Sequence, residues 1–440
     1  MQITKIAWLH CGATVLSLFT PTQLLIASEQ HDSPGFTEGS QWNAIVRTSS
    51  MNRNYHHRPG HDVVLTGAGV QSLFESGFTQ GTVGVGVNLF AASALKLEGE
   101  SRPESGNLGF IARKADGTEH TTWSNGGVAV KIRASDTTFT YGTQFPSLPV
   151  LAYYDDRLIP ESFVGGLITS KEIDHLVLHL GHFTKEQYVD AVKSDSGRLK
   201  SAWVYGGTYK PSDSIRFSLY DSHFKDYLKR QYVNINYQAP VSPHSALTLD
   251  FNAYRTRYAS AWVGQHHADN PSMSGSPDSG KENTIWSLAA TYATGAHAWT
   301  LTYQESTGSA PYLYGYSEGG GTIYLANPHM SDFIGKGERS VGAQYQLDAS
   351  RYGVPGLSWT TAYIYGYGID THDGTTGTLD RAAHERELFN QIKYIAKCGA
   401  LQPVSLTLRN SIYRSSNSYN RYLGDVNQWR FIVEYPFSLL

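Results

Sequence analysis

The chain of 440 residues has little charge and almost no cysteine. Only 17% of its residues are charged, whereas soluble globular domains usually contain about 25%. Apolar residues do not replace the missing charge, because they make up 40% of the chain. The chain is instead rich in Gly (43) and Tyr (29), which favours strands and turns over helices. This composition excludes a helical bundle and a coiled coil, and the aromatic content excludes a disordered chain.

The sequence also lacks signals for nucleic acid, metals and cofactors. The formal net charge is −3, so no overall positive field attracts nucleic acid. No glycine-rich phosphate loop leads into a helix. Five histidines cluster in two places, His56, His57 and His61, and the pair His175 and His179, which would share the lumen face of a strand. No cysteine or acidic residue lies at ligand spacing from them, so we expect neither a metal nor a cofactor.

The N-terminus has the features of an export signal. Met1–Lys5 is short and basic and Ile6–Phe19 is mostly apolar, so residues 1–27 are predicted to be a cleaved signal peptide. Cys398 then remains alone, and an internal disulfide is impossible. No further apolar run reaches the roughly 18 residues of a transmembrane helix. Residues 28–440 are therefore either a soluble secreted β-protein or a bacterial outer-membrane barrel.

Apolar and polar residues alternate along much of the chain. Val128, Val130 and Ile132 share one face of a predicted strand, and Lys131 and Arg133 share the other. Such a period of two indicates strands with one apolar and one polar face. Segments with this pattern are Gly127–Ser135, Ser245–Arg255, Thr284–Tyr292, Trp299–Gln304, Pro403–Tyr413 and Arg430–Phe437.

The connections between these segments favour a barrel over a sandwich. Ala239–His244, Thr294–His297 and Lys397–Pro403 are short, whereas Trp262–Glu282 and Gly308–Lys336 are long. Alternating short and long connections are typical of a transmembrane barrel, and a chain of this length would hold about 16–20 strands. Aromatic residues predicted at strand ends would form the girdles at the membrane surfaces: Tyr292, Tyr303, Tyr345, Tyr363, Tyr435 and Phe437.

Several stretches resemble the OprD-type outer-membrane porins of pseudomonads. The segment from Leu148 to Asp174 is the most specific, with Leu148-Pro149-Val150-Leu151 followed by Arg157-Leu158 and Thr169-Ser170-Lys171-Glu172. Further matches, in the family's order, are Ser76–Val87, Tyr141-Gly142-Thr143, Asp332-Phe333, Glu338-Arg339-Ser340, Gly353–Leu357, Arg409-Asn410 and Arg414-Ser415.

The resemblance implies an all-β protein, a transmembrane antiparallel barrel of about 18 strands, monomeric or trimeric. One long loop would fold inward and narrow the pore, and here that loop would be Tyr141–Phe163. Its residues Tyr153, Tyr154, Asp155, Asp156 and Arg157 are then expected at the constriction. The implied partners are small carboxylate or amino-acid solutes, outer-membrane lipid with lipopolysaccharide, the barrel-assembly machinery and two further copies in a homotrimer.

Members of the family are substrate-specific channels, and the resemblance implies a track of inward arginines and lysines that guides carboxylates. The residues must lie on the polar faces of strands, and in a narrow lumen their charges attract anions strongly. Arginine suits this task because its planar fork binds both carboxylate oxygens. The predicted basic track consists of Arg47, Arg53, Lys131, Arg133, Lys393 and Arg409.

Two other functions stay open at this point. Gly315–Gly319 matches the G-x-S-x-G pattern of hydrolases, but no helical pattern follows it, so we predict no enzyme. A barrel hydrolase would use Ser317 or the pair Asp155 and Asp156. The other alternative is a soluble secreted β-sheet binding protein.

Overall fold

Long antiparallel strands make up most of the chain. The computed structural model describes residues 30–440 except 57–61, 101–108, 115, 198, 261–279, 315–322, 328, 373–377, 400 and 421–422. The long strands are β1 (Gln41–Tyr55), β2 (Val63–Glu75), β3 (Val83–Glu100), β4 (Thr122–Ala134), β5 (Thr137–Gln144), β8 (Ser162–Ile173), β9 (Leu176–Gln187), β10 (Ala202–Ser212), β11 (Ile215–Phe224), β12 (Leu228–Ser242), β13 (Ser245–Tyr258), β14 (Glu282–Thr294), β15 (His297–Gly308), β16 (Arg339–Asp348), β17 (Leu357–His372), β18 (Leu379–Ile395), β19 (Ser405–Ser415) and β20 (Val426–Ser438). Two-residue strands β6 (Ser147–Leu148) and β7 (Leu151–Ala152) form a separate hairpin.

The long strands close into a barrel of 18 strands. Each pairs with its neighbours in the chain, and β1 pairs with both β2 and β20, as in the register pairs Arg47 with Gly69 and Arg47 with Glu434. Closure removes the sheet edges, whose unpaired backbone groups would be costly in lipid. The prediction of a transmembrane antiparallel β-barrel is confirmed. Among the described residues, no helix is both long and apolar enough to cross a membrane.

The predicted alternation of apolar and polar faces is also confirmed. In β4, Val128 and Val130 point outward with 56% and 46% of their surface exposed, whereas Ala129 between them is buried. In β20, Phe431 is 47% exposed on the outside and Arg430 is 5% exposed on the inside. The outer wall is therefore apolar where the inner wall carries charge, as a barrel surrounded by lipid and filled with water requires.

Short and long connections alternate around the barrel rim. Residues 135–136, 174–175, 213–214, 243–244 and 295–296 are two-residue turns at one end, and the longest loops lie at the other. His175 occupies one of these turns with a φ of 65°, whereas His179 lies within β9. The expectation that the two histidines share one strand face is wrong, because the strand begins only after His175.

Aromatic rings form a band at the short-turn end of the outer wall. Trp299 in β15 stacks on Tyr292 in β14, and Tyr345 in β16 contacts both Trp299 and Trp359 in β17, all with centroids 5.8–6.3 Å apart. Such a band matches the interfacial girdle of membrane barrels. Tyr303, however, sits in the middle of β15 together with its neighbour Trp286. Tyr363 likewise lies well inside β17, so the predicted position at a strand end is wrong for these two residues.

Two long loops fold into the barrel and fill part of it. The first connects β5 to β8 over residues 145–161, so the predicted bounds Tyr141–Phe163 are too wide, since both end residues lie in strands. Its residue Leu158 is fully buried and lies directly on β2. A Cβ atom at Gly69 of β2 would lie 2.3 Å from the Leu158 carbonyl oxygen. The wall therefore needs glycine where the loop touches it.

Candidate functional site

Arg47 joins the wall of the barrel to the β5–β8 loop. Its strand position puts it opposite Glu434 of β20, and its Nε lies 2.8 Å from the Glu434 Oε1 atom. Its Nη1 donates to Asp155 Oδ1 at 2.8 Å and to the Arg157 carbonyl oxygen at 2.5 Å. Arg47 is 3% exposed, so one buried cation is shared between two carboxylates and the loop backbone. Buried charges need such partners.

Asp156, the next loop residue, is held by three arginines. Its Oδ1 lies 3.0 Å from Arg409 Nη1 of β19, and its Oδ2 lies 3.0 Å from Arg157 Nη1 and also contacts Arg430 of β20. Its carbonyl oxygen accepts further hydrogen bonds from Arg430 Nη2 at 2.8 Å and Arg157 Nη1 at 2.9 Å. Hydrogen bonds between ions are the strongest in proteins, so this arginine cluster fixes the tip of the loop. Arg157 thus binds Asp156, whereas Asp155 pairs with Arg47.

The two neighbouring aspartates have opposite electrostatic environments. Burial raises the pKa of Asp155, and the charge of Arg47 only partly opposes this effect. Burial acts on Asp156 in the same direction, but the charges of Arg430, Arg409 and Arg157 outweigh it and hold its pKa well below the usual range. Asp156 is therefore a permanent anion at physiological pH.

A narrow cleft lies between the loop and the wall formed by β18, β19, β20 and β1. Lys393 and Gln391 of β18 face it beside Thr407 and Arg409 of β19, because Gln391 pairs in register with Arg409 and Lys393 with Thr407. Within the described part of the chain, Lys393 makes no ion pair. The cleft is lined by Arg47, Asp155, Asp156, Gln391, Lys393, Thr407, Arg409, Arg430, Ile432 and Glu434.

The other three residues of the predicted basic track lie outside this cleft. Arg53 is in β1 and donates from Nε to Gln428 of β20. Lys131 and Arg133 lie together at the short-turn end of β4, both over the ring of Phe78, with 4.9 Å from Lys131 Nζ and 4.2 Å from Arg133 Cζ to the ring centroid. The six predicted residues thus form separate groups, with Arg47, Lys393 and Arg409 brought together at one cleft.

The tyrosines of the β5–β8 loop have structural contacts. Tyr153 is 9% exposed and packs edge-on against Phe145, with ring centroids 5.5 Å apart. Tyr154 lies under the Arg157 guanidinium at 5.0 Å, and its backbone N–H donates to Glu161 Oε2 at 3.0 Å. These contacts stabilise the conformation of the loop. Asp156 and its arginine partners Arg409 and Arg430, and not the two tyrosines, line the cleft.

A second long loop connects β15 to β16, and its described residues 309–314, 323–327 and 329–338 also pack inside the barrel, which sequence reasoning missed. Leu313 and Phe333 are buried. Arg230 of β12 donates from Nη2 to the Leu313 carbonyl oxygen at 2.7 Å. The backbone N–H groups of Met330 and Ser331 donate to Glu387 of β18 at 3.0–3.1 Å. A sequence signal for this course is the set of apolar residues, such as Leu313 and Phe333, in a segment otherwise rich in Gly and Ser.

Several sequence hypotheses fall outside the described residues. These are the signal peptide at residues 1–27, the motif Gly315–Gly319 with Ser317, and the histidines His57 and His61. The described parts of the chain contain no group of three or more His, Cys, Asp or Glu side chains arranged to hold a metal ion.

Comparison with known proteins identifies the family of this barrel. The family described as outer membrane porin, OprD family, matches residues 34–439. The chain belongs to the OprD family of outer-membrane porins. It is 36% identical to Porin D of Pseudomonas aeruginosa over 95% of this chain and 96% of that one. It is 26% identical to the porin-like protein GalP of Pseudomonas putida over 96% of this chain and 98% of the relative.

Solved structures of the family have the same barrel. OccAB1 of Acinetobacter baumannii superposes with a TM-score of 0.85 at 37% identity, over 94% of this porin and 100% of that chain. OprD of Pseudomonas aeruginosa gives a TM-score of 0.74 at 33% identity, over 94% and 99% of the two chains. The porin therefore lies in the outer membrane, and porins are channels for small solutes. Its short turns face the periplasm and its long loops the outside, as in other outer-membrane barrels.

Proposed function

We propose that this porin passes small solutes with a carboxylate, either amino acids or aromatic and other organic acids, passively across the outer membrane. The observation that carries the proposal is the cleft in which cations of the wall meet the inward β5–β8 loop. A hydrolase and a soluble binding protein were the alternatives from sequence. The family relationship favours the channel, and no described residue favours either alternative.

The charges around the cleft favour an anionic solute. Five cationic side chains and three carboxylates meet there, which leaves a formal net charge of two positive units. The cations are Arg47, Arg157, Lys393, Arg409 and Arg430, and the carboxylates are Asp155, Asp156 and Glu434. Low-dielectric walls strengthen the attraction of such a cluster for an anion.

The remaining basic residues provide further steps along the same route. In our proposal a carboxylate meets Arg53 at one level of the lumen, then the cleft with Arg409 and Lys393, and then the pair Lys131 and Arg133 near the periplasmic end. Successive weak sites allow a solute to leave each one again, which transport requires. The β5–β8 loop would limit solute size, since its tip crosses to the basic wall.

Lys393 gives the sharpest test because its replacement breaks no ion pair of the described residues. We expect Lys393→Met to slow benzoate entry into proteoliposomes about fivefold, which corresponds to roughly 1 kcal/mol. Entry of neutral glucose should stay the same. Lys225→Met serves as the matched control, because Lys225 is exposed in the connection between β11 and β12 and its loss should change neither rate.

The outcome also decides between the channel and the alternatives. Equal benzoate rates for Lys393→Met and the unchanged porin would contradict the basic track. A lack of solute entry with the unchanged porin, together with hydrolysis of a test ester, would favour the barrel hydrolase.

A further inference from the structure

The Asp156 carboxylate binds to the wall in the way that a free carboxylate would. One oxygen contacts Arg409 and the other contacts Arg430 and Arg157. Guanidinium groups that share both oxygens of a carboxylate form the usual recognition geometry for this anion. The strongest carboxylate-binding position of the cleft is thus filled by a side chain of the protein itself.

This position is partly exposed on the side of Arg409, in contrast to its neighbour. The Asp156 side chain is 22% exposed and that of Arg409 is 19% exposed, whereas Arg430 on the other side is only 5% exposed. The Asp155 side chain is only 5% exposed beside Arg47. A solute in the cleft can therefore reach the Asp156 position, whereas the Asp155 pair is closed to it.

The loop keeps other anchors when the Asp156 carboxylate moves away. The Asp156 carbonyl oxygen still accepts from Arg430 and Arg157 at 2.8 and 2.9 Å. Asp155 still pairs with Arg47 at 2.8 Å, and Leu158 remains fully buried. An exchange of carboxylates at the arginines therefore does not require the loop to undock.

We propose that Asp156 is a built-in competitor, which occupies the carboxylate position between Arg409 and Arg430 and must be displaced by each permeating carboxylate. Asp156 is then a specificity-determining residue that weakens the hold of the porin on its solutes and so favours their release. The inference rests on the proposed function, since it assumes that carboxylates enter the cleft.

The test compares variants of the full porin in planar bilayers. Benzoate is added to a KCl solution, and the concentration that half-saturates its effect on the current is measured. We expect Asp156→Asn to lower this concentration about tenfold, because the competitor loses its charge and the cleft gains one positive unit. The reversal potential in a KCl gradient should shift toward chloride. Asp156→Glu keeps the charge and should stay within about threefold of the unchanged porin.

Asp155→Asn is the matched control on the same loop. It adds the same positive unit to the cleft, but it leaves Asp156 in place between Arg409 and Arg430, and its own side chain is only 5% exposed. We therefore expect the half-saturating benzoate concentration to change by less than about threefold. The proposal is overturned if Asp156→Asn binds benzoate no more tightly than the unchanged porin. It is equally overturned if potassium, chloride and glucose all pass faster and benzoate affinity stays constant, because Asp156 is then only an anchor.

The failure of the proposed function looks different from the failure of this inference. If carboxylates do not use the cleft, benzoate has no saturable effect on the unchanged porin, and Lys393→Met changes nothing. If only the inference about Asp156 is wrong, the effect of benzoate on the current of the unchanged porin saturates, and Lys393→Met changes it. The Asp156→Asn variant then binds benzoate with the same affinity as the unchanged porin. Misfolding is checked by the heat-modifiable mobility of each variant on gels.

Discussion

The β5–β8 loop is held in the barrel mainly by arginines, whereas the β15–β16 loop is held mainly by carboxyl groups and neutral hydrogen bonds. Asp156 of the first loop binds three guanidinium groups. In the described part of the second loop, the N–H groups of Met330 and Ser331 donate to Glu387. Gln304 of β15 donates to the Asp332 carbonyl oxygen at 2.8 Å.

In our proposal, one lumen combines an anion route with an anchored scaffold. The cations that face the cleft would bind solutes as well as the loop, so the groups that anchor the first loop are those that we propose to guide carboxylates. The carboxyl groups that hold the second loop are buried, among them Glu385 and Glu387 of β18, which have no exposed surface. Neither of them lines the cleft.

The largest expected effect comes from removing Arg430, which contacts both the carboxylate and the carbonyl oxygen of Asp156. Arg430→Met should weaken docking of the β5–β8 loop by about 2–3 kcal/mol, since charge-assisted hydrogen bonds of this kind are lost. Hydrogen exchange should accelerate at the amides of Tyr153 and Glu161, which bond within the loop. Open-channel conductance should rise.

The second loop provides the internal control for this variant. The amides of Met330 and Ser331 should keep their exchange rates, because their acceptor Glu387 is unaffected. Equal acceleration of hydrogen exchange in both loops would mean that the two loops open as one unit. Their different anchors would then not make them independent.

A smaller effect, confined to the second loop, is expected from pH. Burial raises the pKa of Asp332 to about 7, helped by the nearby charges of Glu387 and Glu385 and opposed by its hydrogen bond to Tyr314. The docked loop thus binds the proton more tightly than a released loop with an ordinary pKa, so docking weakens as pH rises from about 4 to about 7. Protection of the Ser331 amide, corrected for intrinsic exchange, should fall about tenfold between pH 5 and pH 6.

Asp332→Asn decides whether that residue carries the pH dependence. The variant has no proton to lose, so the protection of Ser331 should become nearly constant over this range. A slope as steep as in the unchanged porin would assign the effect to the neighbouring carboxyl groups. Asp156 contributes no slope here, because its pKa lies far below this range.

The barrel was predictable from sequence because lipid outside and water inside impose a period of two on every strand. The contrast between Val130 and Lys131 in β4, or between Phe431 and Arg430 in β20, is local and needs no knowledge of distant contacts. The same rule put Arg47 and Arg409 on the inner wall. Turn positions such as His175 were less certain, since a strand end shifts by a residue or two without changing the pattern.

The partners of the inner-wall charges were not predictable in this way. Arg47 binds Glu434, which is 387 positions away in the chain, and Asp156 reaches Arg430 across 274 positions. These contacts depend on the path of a loop through the lumen, and strand periodicity contains no information about that path. The inward course of the described part of the β15–β16 loop was missed for the same reason, as was Arg230, whose hydrogen bond to Leu313 exists only when the loop is docked.

The smallest expected effect tests whether the two loops are coupled. The Tyr254 hydroxyl of β13 donates to the Pro149 carbonyl oxygen at 2.9 Å and accepts from the Tyr324 N–H at 3.1 Å, so it touches both loops. Tyr254→Phe should cost each loop about 1 kcal/mol and increase open-channel current noise. Tyr232→Phe is the matched control, because Tyr232 is the register partner of Tyr254 in β12. Among the described residues, its hydroxyl hydrogen-bonds only to the wall residue Asn252. Equal noise in both variants would show that the loops are anchored independently of Tyr254.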